Sequence, residues 1–149
     1  MTEPTTPVRT AREVAERVYR MVEHGDVTLA DLFAADGVLE YPFTGPGMPS
    51  RIEGRDAIAE FHGNLSRLRT RIAREGVGWT LHETADPQVV IVEIEHHGRI
   101  LPEGKPYQSI AVGVMRVRDG EIVSYRDYMN PLTVAAIAGV DLPGPASSE

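Results

Sequence analysis

Residues 121–131 read Glu121-Ile-Val-Ser-Tyr-Arg-Asp-Tyr-Met-Asn-Pro131, directly after the turn pair Asp119-Gly120. Side chains of a strand alternate between its faces, so Val123, Tyr125, Asp127 and Met129 are expected on one side and Ile122, Ser124, Arg126 and Tyr128 on the other. The first set places one carboxylate among three large apolar or aromatic neighbours. A carboxylate there has a raised pKa and is either paired with a cation or used to move protons, because an unpaired buried charge is costly. The structural candidates for such an ion pair are Arg99 and Arg116.

Asp119-Gly120 joins this segment to a preceding strand, Tyr107 to Arg118, as a two-residue hairpin. Upstream lie two further strand-like runs, Trp79 to Glu83 and Val89 to His97. The half before Gly76 is helical in pattern. Thr10-Ala-Arg-Glu13 has the form of a capping box, and Ala11, Val14, Ala15, Val18 and Val22 recur at helical spacing up to Gly25. A shorter helix is expected from Asp26–Thr28 through Phe33, ending before Asp36-Gly37. A brief strand Val38 to Phe43 and a Gly/Pro-rich loop over 44–50 follow, and then a helix from about Arg55 to Arg74 with Ile58, Phe61, Leu65, Leu68 and Ile72 as its buried stripe. Pro131 ends the last strand before a short helical turn, Leu132 to Ala138. Helices followed by antiparallel strands define an α+β domain in which the sheet buries one face against the helices.

With 149 residues the chain amounts to one domain, expected over 10–140 between mobile tails at 1–9 and 141–149. A net charge of −7 argues against a nucleic-acid partner, and the absence of cysteine removes thiol nucleophiles and thiolate metal sites. No apolar run is long enough for a membrane span, and no export signal is visible, so a cytoplasmic location is the expectation. Arg67, Arg71 and Arg74 share a face of the expected third helix, the pattern of a solvated surface.

Several side chains carry possible chemistry. Glu93 and Glu95 share a strand face; if that face meets Asp127, one of three crowded carboxylates holds a proton near neutrality. The other possibility is a solvent-facing or dimer-facing position. Tyr107 opens a strand whose odd positions, Ser109, Ala111 and Gly113 among them, are small and leave space. Tyr41, Tyr107 and Tyr125 are phenols able to donate to an oxyanion or simply to pack. Among the five histidines no pair has the i, i+4 spacing of a zinc site. Only His62, beside the helix stripe, is expected to face the core.

The order of elements and the closing stretch Gly120 to Pro131 resemble the SnoaL-like branch of the nuclear transport factor 2-like superfamily over roughly residues 10 to 140. Asp86-Pro87, Val92-Glu93, Gly98, Pro102-Glu-Gly104, Tyr107 and Met129-Asn-Pro131 are similar to the phenazine-biosynthesis A/B proteins, and Arg126-Asp127-Tyr128 to limonene epoxide hydrolase. The resemblance implies a curved antiparallel sheet wrapped on three helices as a cone, a pocket at its mouth, a homodimer, and acid/base chemistry on a small organic substrate without a cofactor or metal. It places Asp127 as the proton-transferring acid and Tyr107 as a substrate-binding tyrosine. Glu93 would then share or tune the proton and His62 orient a substrate oxygen, with Tyr41, Phe61, Leu65, Glu95, Tyr125 and Met129 around the substrate. The phenazine proteins' helix histidine and serine correspond here to Phe61 and Leu65. The epoxide hydrolases' arginine and second aspartate correspond to Glu93 and Glu95, so that triad is incomplete. In the ketosteroid isomerases the base and the first-helix tyrosine correspond to Tyr41 and Val18, which sets that mechanism aside. The expected activity is isomerisation, cyclisation or rearrangement of a small apolar metabolite, with epoxide opening or non-catalytic ligand binding as alternatives.

Overall fold

The structure, a computed structural model, describes residues 7–24, 28–45 and 47–140. The tails expected at 1–9 and 141–149 lie outside these residues except for 7–9, as does the expected start of the second helix at Asp26.

Helix α1 (Ala11–His24) begins with the reciprocal cap anticipated from Thr10 and Glu13. The Glu13 amide donates to Thr10 Oγ1 (3.2 Å), and the Thr10 amide donates to Glu13 Oε1 (3.4 Å). Its stripe of Ala11, Val14, Ala15 and Val18 is buried, and Tyr19 stacks on Trp79 of the sheet at 4.7 Å between ring centroids. The second helical segment is a single 3₁₀ turn, Thr28–Leu32, and Phe33 already starts strand β1 (Phe33–Glu40). Asp36-Gly37, expected as a turn, lies inside β1 at an irregularity in its register. A Cβ on Gly37 would meet the Ile122 carbonyl oxygen at 2.8 Å, so glycine lets two backbones approach there.

A short strand β2 (Arg51–Glu53) had no sequence signature. Helix α2 (Arg55–Arg69) ends five residues earlier than expected, with Thr70 as its C-cap. The Arg71 amide closes back on the Leu68 carbonyl, and Ile72 packs with Ile100, Tyr107 and Ile137 in a small second core. Tertiary packing thus outweighs a helical periodicity that no glycine or proline interrupts between Arg69 and Arg74. The segment continues as strand β3 (Ile72–Glu83), followed by β4 (Val89–Ile100), β5 (Lys105–Arg118), β6 (Glu121–Met129) and helix α3 (Pro131–Ala138). Asn130 caps α3 by accepting from the Leu132 amide.

The six strands form one sheet in the order β2-β1-β6-β5-β4-β3. The architecture is the expected α+β cone; in detail the sheet is mixed, because β1 runs parallel to β6 while the remaining pairs are antiparallel. The main core lies between the inner face of the sheet and the helices, around Val14, Val18, Phe33, Leu39, Ile58, Val92, Met115 and Ile122, all fully buried. β6 departs from simple alternation. Arg116 pairs with Ser124 but Val117 pairs with Ile122, so Val123 is the extra residue of a bulge. Ile122, rather than Val123, therefore shares the buried side with Tyr125, Asp127 and Met129.

Candidate active site

A cavity of about 480 Å³ opens between the inner face of the sheet, α1 and α2. Its polar lining comes from six elements or their ends: Tyr41 after β1, His62 and Arg69 on α2, Arg74 on β3, His96 on β4, Ser109 on β5, and Tyr125 and Asp127 on β6. Val18, Leu65, Ile94, Ala111 and Met129 supply apolar wall. A second, apolar cavity of about 210 Å³ adjoins it, sharing Met48, Leu65, Leu68 and Val134 with the first. The 44–50 loop contributes Gly45, Gly47, Met48 and Pro49 to its wall.

Space for the larger cavity is created on β5, where Ser109, Ala111 and Gly113 present little side chain. Gly113 lies opposite Asp127 in the β5–β6 register, and a Cβ at Gly113 would meet the Tyr125 hydroxyl at 2.7 Å. Glycine at this position makes room for the phenol.

Asp127 Oδ1 is buried and has no hydrogen-bond partner among the described residues. Neither arginine considered as a structural partner reaches it: Arg116 pairs with Asp86 (3.1 Å) and Arg99 with Glu75 (3.2 Å). Burial alone raises the Asp127 pKa from 3.8 to about 7. The phenols of Tyr41 and Tyr125 are pushed upward, first by burial and then by the Asp127 charge, so both stay protonated as hydrogen-bond donors. On α2, burial and then the Arg69 charge lower His62 to about 4, and its Nδ1 is another buried atom without a partner. His62 is thus neutral at physiological pH.

The remaining expected site residues divide. Met129 and Leu65 line the main cavity, whereas Phe61 faces only the smaller one and packs its ring against Tyr41 at 5.7 Å. Glu93 and Glu95 do not reach either cavity. Val90 and Val92 are buried toward the core and Ile94 lines the cavity, which turns the glutamates of opposite parity outward. Glu93 instead bonds His82 (2.7 Å), with both side chains about half exposed. The three-carboxylate cluster is therefore not formed.

Tyr107 is buried with Ile100 and Ile137 rather than on the cavity wall, and its hydroxyl shares a 3.0 Å hydrogen bond with His96 Nδ1. Its contact with the cavity lining is through that histidine. His96 was missed as a site residue although its parity on β4 matches Val90, Val92 and Ile94, a signal present in the sequence. Burial is the main cause lowering its pKa to about 4, with Arg74 and Arg69 adding to it. The sequence reads Arg74, with Arg67 and Arg71, as the solvated face of a helix, and gives Arg69 no role. Ending α2 at Arg69 and starting β3 at Ile72 brings Arg69 and Arg74 to the cavity. Among the described residues no group of three histidine or acidic side chains is placed to hold a metal ion.

The comparisons with known proteins agree with this architecture. Residues 15–125 match the family model of the SnoaL-like domain. An uncharacterised PhzA/B-like protein of Pseudomonas aeruginosa is 34% identical over 133 residues, covering 88% of this chain and 92% of that protein. The phenazine biosynthesis protein PhzB of Pseudomonas fluorescens is 28% identical over 146 residues, covering 96% and 89%. A crystal structure from Bacillus subtilis, whose protein is provisionally described as an isomerase, superposes with a TM-score of 0.74 at 31% identity, covering 88% of this chain and 94% of that one. Sequence match and superposition together show that the chain belongs to the SnoaL-like domain family.

Proposed function

We propose that the protein is a cofactor-independent acid/base enzyme that isomerises or cyclises a small carbonyl compound, with Asp127 as the proton-transferring group. The observation that carries this reading is the buried, unpartnered Asp127 Oδ1 at the cavity wall, with a pKa of about 7. A carboxyl poised there is present near neutrality both as base and as acid. The carboxylate takes a proton from a carbon next to the substrate carbonyl, and the C–H electron pair becomes an enolate. A neutral phenol, Tyr41 or Tyr125, donates a hydrogen bond to the enolate oxygen. Where the substrate carries a C=C bond beside that carbon, the enolate is a dienolate, and Asp127 returns its proton to the far carbon of the dienolate, which shifts the double bond and completes an isomerisation. If the enolate carbon instead attacks a second carbonyl of the same molecule, a C–C bond forms and the new alkoxide receives the proton. Neither route consumes an oxidant or a second substrate.

The relatives support a setting in biosynthesis, since PhzB is described as a phenazine biosynthesis protein and the Bacillus subtilis neighbour as an isomerase. Epoxide opening of the limonene-epoxide-hydrolase type asks for an arginine beside Asp127, and no cation is among the causes of the Asp127 shift. A purely structural Asp127 asks for a fixed ion pair, which is absent among the described residues.

The test is Asp127→Asn, an isosteric change that removes proton transfer. With substrate identified from ligand carried through purification, turnover should fall by about 10²- to 10⁴-fold. The circular dichroism spectrum should not change. In the parent protein the pH–rate profile should inflect near 7 rather than near 4. Turnover within a few-fold of the parent rate would refute the assignment.

A further inference from the structure

A hydrogen-bonded pair of side chains links the main cavity to the small second core. His96 on β4 lines the cavity, whereas Tyr107 on β5 packs with Ile100 and Ile137. The Tyr107 hydroxyl and His96 Nδ1 are 3.0 Å apart, and the two rings meet edge to face at 5.5 Å between centroids. The sheet register explains the pairing. Tyr107 lies opposite Gly98 and His96 opposite Ser109, which makes the two rings diagonal neighbours on one face of the sheet. Gly98 places no side chain against the phenol, and a Cβ there would run into the backbone of Ala73.

The pair fixes where the imidazole carries its proton. Burial, then Arg74, Arg69 and His97, lower the His96 pKa to about 4, so near pH 7 the ring is neutral and has one N–H. Burial also raises the Tyr107 phenol, which therefore keeps its proton. Ile100 and Ile137 offer that hydroxyl no side-chain acceptor, and a buried O–H left without one is costly. Donation to Nδ1 satisfies it and puts the imidazole proton on Nε2. With Nδ1 turned to Tyr107, Nε2–H is the polar group that the ring leaves for the cavity.

Asp127 lies opposite Gly113 on β5, four residues along that strand from Ser109, so the levels of Asp127 and His96 are roughly 13 Å apart. Ile94 and Ala111 line the interval. We propose that His96 donates Nε2–H to a neutral ketone oxygen of the substrate at the end of the cavity away from Asp127, and that Tyr107 is the positioning residue that holds the donor tautomer. A ketone suits a single N–H because it only accepts and gives up no charge hydration on entering. The Ser109 hydroxyl stands at the same level, directly across from His96 on the cavity wall. An oxygen held there orients the carbon skeleton along the apolar interval. The subsite is a matter of binding and does not rest on proton transfer by Asp127.

The experiment compares 2,6-diacetylnaphthalene with 2-acetyl-6-isopropenylnaphthalene, in which a CH2 group replaces one carbonyl oxygen, by equilibrium titration at pH 7. The parent protein should bind the diketone more tightly by about fivefold or more. In His96→Phe this preference should shrink to within about twofold, while affinity for the isopropenyl probe, which reports an intact cavity, changes by less than about threefold. Proton–nitrogen correlation spectra of the parent should show His96 with its proton on Nε2. Tyr107→Phe should give a mixture of tautomers and a smaller diketone preference. A proton on Nδ1 in the parent, equal binding of the two probes, an undiminished preference in His96→Phe, or no binding of either probe at its solubility limit overturns the subsite. An unchanged single tautomer in Tyr107→Phe overturns the positioning role. The parent spectrum decides the donor whether or not a variant folds. The binding ratio is read without turnover, so failure of Asp127 as the acid/base group leaves both readouts intact.

Discussion

The two faces of the sheet use the same residue types and give them opposite fates. On the outer side the carboxylates of Glu93, Glu75 and Asp86 each meet a basic partner, His82, Arg99 and Arg116, with all six side chains well exposed. On the inner side Asp127 has no partner among the described residues, and His62 Nδ1 has none either. Outside, water stabilises the charges and the pairs add little. Inside, water is lost without replacement, so the proton rather than an ion pair neutralises the acid and the imidazoles stay uncharged. Location relative to solvent, more than residue identity, decides which groups can exchange protons near pH 7.

The sharpest way to break this comparison is to remove one charge from each face and follow stability against pH. Asp127 binds its proton more tightly in the folded chain, at a pKa of about 7 against 3.8 in the unfolded one. Folding stability is therefore expected to fall as pH rises from about 4 through 7, by at most about 4 kcal/mol. Asp127→Asn should abolish that decline and leave the protein more stable than the parent at pH 8, as read by urea unfolding. An equal decline in the variant would mean that Asp127 is solvated or paired.

A smaller effect of opposite sign is expected from His62. Its folded pKa of about 4 lies below the unfolded value of 6.5, so stability is complete above 6.5 and is lost as pH falls toward 4. His62→Phe should remove its share of that acid lability, at most about 3 kcal/mol at pH 4. An unchanged acid limb would place the imidazole in water. The smallest effect belongs to the outer face: Glu93→Gln loses only an exposed pair with His82, so stability should shift by less than about 1 kcal/mol and turnover by less than about twofold. A large loss of turnover would restore Glu93 to the active site.

Much of the fold could be read from local pattern. The capping box at Thr10, the Asp119-Gly120 hairpin and the full extent of β6 are signals carried within a few residues. The boundaries that shifted depend on contacts far away in sequence. α2 stops at Arg69 because Ile72 finds Ile100, Tyr107 and Ile137, and Asp36-Gly37 remains in a strand because β6 passes alongside. The candidate site was legible in part for the same reason. Asp127, Tyr125 and Met129 share one side of one strand, so their grouping follows from alternation, whereas Val123 and Ile122 exchanged roles at a bulge that alternation cannot show.

By itself, the sequence determined the helix-then-strand order, the last strand and the isolated acid upon it, since periodicity and turn chemistry act over neighbouring residues. Which face of β4 turns inward, and hence the entry of His96 and the exclusion of Glu93 and Glu95, was decided only by tertiary structure. The same holds for the arrival of Arg69 and Arg74 at the cavity. Both sides of β4 carry apolar residues, so local hydrophobicity leaves the choice balanced. Packing of α1 against one side resolves it.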